Sequence, residues 1–211
     1  MQITEIFFSI QGESTYTGRP CIFVRTTACN LRCVWCDSEY TFTGGVAMTL
    51  DEVMARVESY PCKLVEITGG EPMLQEKEVI ELSTRLIERG YQVMLETSGE
   101  RDLANVPAEV VKIVDVKCPG SGEGGTFRMS NLDALRPHDE VKFVIANRED
   151  YDFTLNFIRT HNWQVNAVNL APVFGSLHPR ELAAWMLADG LDARLGLQIH
   201  KFIWDPLARG V

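Results

Sequence analysis

Short apolar runs with the length of β-strands recur along the chain, and many of their residues are β-branched. The runs after residue 60 are almost continuously apolar, which predicts strands buried on both faces, as in a parallel sheet covered by helices. The predicted strands are Ile3–Ile10, Cys21–Thr26, Leu64–Thr68, Gln92–Glu96, Lys112–Val116, Val141–Ile145, Val165–Leu170 and Leu195–Ile199.

Segments with helical spacing of apolar residues alternate with these runs. Thr49, followed three positions later by Glu52, forms a capping-box pattern that predicts the start of one helix. A second helix is predicted over Gln75–Arg89, because an apolar stripe runs along it and Gly90 ends it. Two more are predicted at Arg148–Thr160 and Pro179–Asp189.

The alternation of strands and helices predicts a single α/β domain over residues 1–211, built on a parallel sheet. A complete eight-fold barrel takes about 250 residues, so this length predicts a partial, open (β/α) barrel. In either fold the chemistry is expected at the carboxyl ends of the strands. The glycine-rich segment Cys118–Gly125 is predicted to be a flexible loop and is a candidate lid.

Composition and charge narrow the class of protein. The chain is 45% hydrophobic and 23% charged, which is ordinary for a globular domain, and its formal net charge is −9. That acidic balance argues against binding to duplex nucleic acid or to an anionic membrane surface. We expect a cytoplasmic protein, because no apolar run is long enough for a spanning helix and Met1–Ile10 lacks the basic start of a signal peptide.

Three of the six cysteines, Cys29, Cys33 and Cys36, stand in a C-x3-C-x2-C pattern. Clustered cysteines in a reducing compartment indicate metal ligands or catalytic groups. A 4Fe–4S cluster normally takes four cysteines, so three would leave one iron open to a small chelating ligand. A structural zinc would need a fourth ligand; His138 is distant in sequence and Asp37 would be unusual. We favour the iron–sulfur cluster and keep zinc as the alternative.

The cysteine triplet, with Trp35 before its last member, resembles the signature of the radical S-adenosylmethionine (SAM) superfamily. A second motif, Gly69-Gly70-Glu71-Pro72, follows a predicted strand and resembles the superfamily's glycine-rich SAM motif. Its glycines allow the backbone to approach a ligand closely, and the Glu71 carboxylate can hold an ammonium group. The resemblance implies a 4Fe–4S cluster on the three cysteines, whose open iron binds SAM and which, when reduced, cleaves SAM to a 5′-deoxyadenosyl radical. It implies SAM contacts from Gly69, Gly70, Glu71, Ser98, Lys117, Cys118 and Pro119.

Further motifs point to one branch of that superfamily. They are Phe8-Ser9-Ile10-Gln11-Gly12-Glu13, Gly18-Arg19-Pro20, Phe23-Val24-Arg25, Cys36-Asp37-Ser38 and the C-terminal Gln198-Ile199-His200-Lys201. In this order they resemble the 7-carboxy-7-deazaguanine synthase family over nearly the whole chain. The resemblance implies conversion of 6-carboxy-5,6,7,8-tetrahydropterin to 7-carboxy-7-deazaguanine, with ring contraction and loss of ammonia, in the biosynthesis of queuosine and other 7-deazapurines.

The same resemblance implies a substrate site and a magnesium ion. Arg25 would pair with the substrate carboxylate, because its guanidinium offers a bidentate fork. Ser38 would bind Mg²⁺, with water and substrate oxygens completing the coordination. No side chain would act as a general acid or base, an external flavodoxin- or ferredoxin-type protein would donate one electron, and the family is expected to form homodimers. The implied substrate contacts are Ile10, Gln11, Gly12, Glu13, Arg25, Thr68 and His200.

The chain departs from the family pattern at three positions. Ser14 replaces the last glycine of the usual Gln-Gly-Glu-Gly, and Ala28 replaces the glycine that usually precedes the first cysteine. Both changes are expected to cost little unless the backbone φ angle is positive there. Ser38 replaces a common threonine and keeps the hydroxyl group.

Two other functions remain open from the sequence. A radical SAM activase, which makes a glycyl radical on a partner protein, has similar cysteine and glycine motifs but would need neither Arg25 nor the Gln11–Glu13 segment. A non-enzymatic iron–sulfur or zinc module would have four protein ligands and would not bind SAM. The sensitivity of turnover to Arg25→Ala distinguishes the first, and a SAM-induced change in the EPR spectrum distinguishes the second.

Overall fold

Nine β-strands pair into one sheet whose two edges do not meet, so the barrel is open. The computed structural model describes all residues, 1–211, and gives the strand order β3-β1-β2-β4-β5-β6-β7-β8-β9. The strands are β1 (Gln2–Ile10), β2 (Pro20–Thr26), β3 (Val46–Ala47), β4 (Leu64–Gly69), β5 (Gln92–Thr97), β6 (Val111–Asp115), β7 (Glu140–Ile145), β8 (Ala167–Pro172) and β9 (Arg194–Leu195).

Four helices lie between the strands, and a fifth, short one lies near the C-terminus. The capping box of Thr49 and Glu52 is formed, and the side chain of Asn147 caps the third helix. All four predicted helices are confirmed, with bounds that differ by at most a residue or so. None of the helices combines the length and apolar character that crossing a membrane requires. They are α1 (Leu50–Glu58), α2 (Glu76–Glu88), α3 (Arg148–Thr160), α4 (Pro179–Ala188) and α5 (His200–Ile203).

The sheet is parallel from β2 to β9, whereas β1 runs antiparallel to both of its neighbours. Successive side chains of a strand point to opposite faces of a sheet, and the two faces differ here. On β4, Val65 and Ile67 join the large core under the helices, while Leu64 joins a smaller apolar cluster on the opposite face. We call this face, which the helices do not cover, the inner face. The predicted partial, open (β/α) barrel is therefore confirmed, with one antiparallel strand near its edge.

The last predicted strand is wrong. Only Arg194–Leu195 pairs with β8, and the chain then leaves the sheet instead of continuing to Ile199. The backbone N–H of Gly196 still bonds to Leu170, but that of Ile199 bonds to the carbonyl of Gly12. The apolar pattern fails here because this segment crosses to the β1–β2 connection and packs there. Another predicted strand, Val165–Leu170, is present but shifted by two residues to become β8.

The two loop positions where the chain departs from the family's glycines both have a positive φ. Ser14 has φ 63° and Ala28 has φ 80°, and they are the only non-glycine residues in the left-handed region. A side chain in that region crowds the following carbonyl oxygen and costs about 1–2 kcal/mol relative to the right-handed region. The condition under which these substitutions become costly is therefore met at both positions.

Candidate active site

The three clustered cysteines lie on a loop that follows β2. Cys29, Cys33 and Cys36 are half-buried, and each is a free thiol. Burial raises the pKa of the Cys29 and Cys33 thiols above the usual value, so metal binding would have to displace their protons. No group of three or more His, Cys, Asp or Glu side chains in the structure is arranged to hold a single metal ion.

The glycine-rich turn after β4 packs directly against the start of this cysteine loop. The backbone N–H of Glu71 donates to the carbonyl oxygen of Ala28 at 2.9 Å. A Cβ atom added at Gly70 would lie 2.3 Å from that oxygen and 2.7 Å from Cβ of Cys29, while one at Gly69 would collide with Thr26. Two glycines are therefore needed for the turn to approach the first cysteine this closely.

The Glu71 carboxylate joins the ends of β4 and β5 and is fully buried. Oε1 accepts hydrogen bonds from the Met73 N–H at 2.9 Å and the Thr97 hydroxyl at 2.8 Å. Oε2 accepts from the backbone N–H and the hydroxyl of Ser98, at 2.8 and 2.7 Å. Four bonds match the roughly four lone-pair sites of a carboxylate. Protein donors thus occupy the group that the sequence offered as a partner for an ammonium ion.

The predicted flexible loop Cys118–Gly125 is tied to its surroundings. Asp150, at the start of α3, accepts from the Gly120 N–H at 2.7 Å, and the carbonyl of Ser121 accepts from Val34 N–H in the cysteine loop at 3.0 Å. Cys118 is buried, with Sγ 3.5 Å from the hydroxyl of Thr154. Its side chain packs in the core under the helices, so only its backbone and that of the following Pro119 adjoin the strand end.

The Gln11–Glu13 segment lies in the connection between β1 and β2 and reaches the inner face of the sheet. Because β1 is antiparallel to β2, Ile10 pairs with Pro20, the first residue of β2. The connection then crosses the sheet, and the Gln11 amide donates to the carboxyl group of Glu66 on β4. Glu13 follows two residues later in the same connection and is largely buried, with 22% of its side chain exposed.

Arg25 and Thr68 are neighbours on the inner face, since they pair across β2 and β4. Arg25 Nε donates to Glu5 Oε1 at 2.8 Å, and its guanidinium lies 5.9 Å from the centre of the Phe7 ring. The terminal guanidinium nitrogens make no hydrogen bond within the protein, so they remain available as a fork for an anion. Tyr40 also donates to Glu5, which fixes this carboxylate against the arginine.

Lys142, on β7, lies on the inner face and contacts three carboxylates. Its Nζ donates to Glu13 Oε2 at 2.9 Å and to Glu96, and it lies 3.7 Å from Asp115 Oδ2. Burial by itself would lower the pKa of Lys142, but the three carboxylates raise the pKa well above its usual value. Burial tends to raise the pKa of Glu13, yet Lys142 and the Gln198 amide keep this pKa below its usual value.

Glu66 behaves in the opposite way, because it has no cationic partner. Burial raises its pKa well above the usual value, and the nearby charges of Glu96 and Glu13 raise it further. The Glu66 side chain is buried and accepts a hydrogen bond from the Gln11 amide. The inner face thus combines one carboxyl group with a raised pKa and the ion-paired group around Lys142.

Sequence reasoning missed several of these inner-face residues. A charged residue inside an otherwise apolar parallel strand is the signal that could have found them, because a buried charge needs a partner or a function. Glu96 and Asp115 fall within predicted strands, Gln92–Glu96 and Lys112–Val116, but their local spacing predicts no role for them. The charged residues at such positions are Glu66 in β4, Glu96 in β5, Asp115 in β6, and Glu140 and Lys142 in β7.

The C-terminal segment closes over the Gln11–Glu13 segment. The side chain of His200 packs on Gly12, where an added Cβ atom would lie 2.1 Å from Nδ1. The Gln198 amide donates to Glu13 at 2.9 Å and to Asp37 at 3.2 Å, and Lys201 donates to Asp37 at 2.7 Å. The segment therefore links the substrate-binding candidates to the end of the cysteine loop.

Ser38, the predicted magnesium ligand, ends the cysteine loop. It occupies the N-cap position of a short 3₁₀ turn, yet its hydroxyl makes no capping hydrogen bond. The nearest polar contact of that hydroxyl is Cys36 Sγ at 3.9 Å. Its oxygen is therefore not engaged by the turn it precedes.

Fold and site together define a radical SAM protein, since the family model for the radical SAM superfamily matches residues 23–119. The crystal structure of QueE from Escherichia coli shares the fold, with a TM-score of 0.79 at 22% identity, over 93% of this chain and 92% of that one. A 7-carboxy-7-deazaguanine synthase from Koribacter versatilis is 59% identical over the full length of both chains, and one from Chlorobaculum tepidum is 43% identical over 100% of this chain and 97% of that relative. The chain belongs to the 7-carboxy-7-deazaguanine synthase family.

Proposed function

We propose that this protein converts 6-carboxy-5,6,7,8-tetrahydropterin to 7-carboxy-7-deazaguanine as a radical SAM enzyme. The full-length 59% identity to a protein named for that product carries the proposal. The inner face supports it, because it combines an anion-binding arginine with a row of hydrogen-bonding groups suited to a flat, polar ring. No observation favours the activase alternative.

The cysteine loop and the turn after β4 fit the cofactors of such an enzyme. Cys29, Cys33 and Cys36 would hold a 4Fe–4S cluster, since all three thiols are free. Three cysteines for four irons would leave one iron without a protein ligand. The chemistry that such a cluster would supply, once reduced by an external donor, is the one electron needed to split SAM into methionine and a 5′-deoxyadenosyl radical. The protein's own task is then to orient the reactants and to exclude water.

The SAM site would be lined by the turn and by the next two strand ends. Gly69 and Gly70 bring the turn's backbone next to Cys29, one of the three residues that would hold the cluster. We propose that Glu71 supports this site through its side chain, which holds Ser98 in place. Lys117 is fixed by Asp115 at 2.8 Å. Cys118 and Pro119 would contribute backbone atoms.

The substrate would lie on the inner face, between Arg25 and the Gln11–Glu13 segment. Arg25 would pair its free guanidinium nitrogens with the substrate carboxylate. Gln11, Glu13 and Thr68 would hydrogen-bond the pterin edge, with Ile10 and Gly12 contributing backbone contacts. His200 would cover the ligand from the C-terminal segment, and burial keeps the pKa of its imidazole below the usual value, so it is neutral at pH 7.

We further propose that Ser38 binds Mg²⁺ together with substrate and water oxygens. Its hydroxyl is free of capping bonds, and Mg²⁺ accepts a small number of protein ligands supplemented by water. The proposal also includes an external one-electron donor of the flavodoxin or ferredoxin type, and assembly as a homodimer.

Turnover of the wild-type protein tests the proposed function. The reconstituted, reduced protein is incubated anaerobically with SAM, Mg²⁺ and 6-carboxytetrahydropterin, and the products are identified by mass spectrometry. We expect a product that has lost ammonia, with the mass of 7-carboxy-7-deazaguanine. Formation of 5′-deoxyadenosine without this product would contradict the substrate assignment, and absence of both from protein with a full cluster would contradict the radical SAM assignment.

A further inference from the structure

Two lysines are buried in the sheet, and their surroundings differ. Lys112 on β6 and Lys142 on β7 are 1% and 6% exposed. Lys112 pairs with one carboxylate, Asp139, at 2.8 Å, on the side of the sheet that carries the helices. Lys142 instead meets carboxylates from three separate elements on the inner face. One pair suffices to neutralise a buried ammonium, so the three contacts of Lys142 need another explanation.

The three carboxylates belong to different parts of the site. Glu13 comes from the crossing segment, Glu96 from β5, and Asp115 from the strand end that also holds Lys117. The Lys142 ammonium group donates hydrogen bonds to Glu13 and Glu96, while Asp115 lies farther away, at 3.7 Å. A single side chain thus ties Glu13, on the crossing segment, to Glu96 and Asp115 on the paired strands β5 and β6.

Glu13 and Glu96 retain the capacity to bind a ligand while they are held. Each carboxylate has about four lone-pair sites. Glu13 uses one for Lys142 and one for Gln198, and Glu96 uses one for Lys142 and a longer contact of 3.4 Å to Thr68. A pterin presents an amino group and ring N–H groups, which require acceptors of this kind.

We propose that Lys142 is a positioning residue that holds Glu13 and Glu96 as paired hydrogen-bond acceptors for the N–H groups of the pterin ring. The inference rests on the proposed function and adds to it a role for Lys142 and a substrate contact for Glu96. Without the ammonium group the carboxylates would lose their common partner and repel one another across the inner face.

Binding of the unreactive analogue 6-carboxypterin, followed by its fluorescence in the reconstituted holoprotein, tests this role. Lys142→Met is expected to weaken binding by about tenfold or more. Without the ammonium group, Glu13 and Glu96 are no longer held in place to accept hydrogen bonds from the pterin. Lys142→Arg keeps the charge and is expected to recover most of the affinity. Lys112→Met is the matched control, since it removes an equally buried lysine from the neighbouring strand and should leave binding unchanged.

A second readout separates positioning from general damage. In turnover, Lys142→Met should form more 5′-deoxyadenosine per product than the wild type, because a misplaced ring reacts less often. Equal binding by Lys142→Met and the wild type, or equal weakening by the Lys142 and Lys112 variants, would overturn the proposal. If Lys142→Met does not fold, Glu96→Gln takes its place, and unchanged binding there would overturn it as well. A wild-type protein that makes no product would instead refute the proposed function.

Discussion

Ala28 is a non-glycine residue held in the left-handed region immediately before the first cysteine. Its backbone is fixed from both sides: the N–H donates to Thr41 at 2.8 Å and the carbonyl accepts from Glu71 at 2.9 Å. The residue therefore cannot relax to a negative φ without breaking the junction between the cysteine loop and the turn after β4. Replacing it by glycine should release that strain.

The expected gain for Ala28→Gly follows from two opposing contributions. The left-handed conformation costs an alanine about 1–2 kcal/mol, and glycine does not incur this cost. Glycine in turn gives the unfolded chain more freedom, which costs about 0.5–1 kcal/mol. The net stabilisation is therefore about 0–1.5 kcal/mol, and its midpoint of about 0.75 kcal/mol corresponds to a rise in Tm of about 2–3 °C in a chain of this size.

Urea denaturation with Ala55→Gly as the control measures this effect. Ala55 lies exposed in the middle of α1, so the same chemical change there should destabilise the protein by about 1 kcal/mol. Opposite signs for the two variants are the prediction. If both variants destabilise the protein by similar amounts, the strain at Ala28 is not real and the reasoning from φ is refuted. Ser14→Gly should gain less, because it also loses the hydrogen bond from Tyr16 N–H to the serine hydroxyl.

Three further substitutions test separate parts of the structure by urea denaturation, with the exposed Glu109→Gln as a common control. Glu66→Gln should stabilise the protein increasingly as the pH rises from 5 to 8. The pKa of Glu66 is raised in the folded protein, whereas in the unfolded chain it is near 4.5, so the unfolded chain loses this proton first as the pH rises. The wild type therefore loses stability with rising pH, while the Gln variant does not. A pH-independent difference between the two would contradict this. Glu71→Gln should cost about 3 kcal/mol, because an amide nitrogen would face hydrogen-bond donors in place of a carboxylate oxygen. A cost below about 1 kcal/mol would show that the Glu71 carboxylate does not hold the ends of β4 and β5 together. Thr49→Ala should cost about 1 kcal/mol through loss of the capping box, and an unchanged midpoint would show that the box contributes nothing.

The alternation of apolar runs and helical stripes was sufficient to predict most of the fold. It gave the strands of the parallel sheet and the four longer helices, because these elements bury continuous apolar faces. It missed β3 and α5, and it extended the last strand to Ile199. These elements are short: β3 and β9 are the edge strands of the sheet, and α5 packs on the β1–β2 connection, so contacts with distant segments decide their conformation.

The candidate site could be predicted wherever local spacing carries the chemistry. The cysteine loop and the two glycines are of this kind, and the structure explains the glycines by the close approach of Gly70 to Cys29. Lys142 was not predictable as a site residue, because its three partners are far away in the sequence. The internal use of the Glu71 carboxylate was hidden for the same reason, since its partner Ser98 lies 27 positions later.

Whether Arg25 binds the substrate carboxylate is the most direct test of the account. Binding of 6-carboxypterin and of pterin without the carboxylate is measured by fluorescence for the wild type and for Arg25→Ala, with Arg56→Ala on the exposed face of α1 as the control. Charge-assisted hydrogen bonds contribute about 1.5–3 kcal/mol, so the wild type should prefer the carboxylated ligand by about 10- to 150-fold.

Arg25→Ala should bind both pterins with similar, weak affinity, and the control should keep the wild-type preference. A preference that persists in Arg25→Ala would show that another residue holds the carboxylate and would contradict the substrate site described here. A wild type without any preference would contradict the placement of the pterin carboxylate on this face of the sheet.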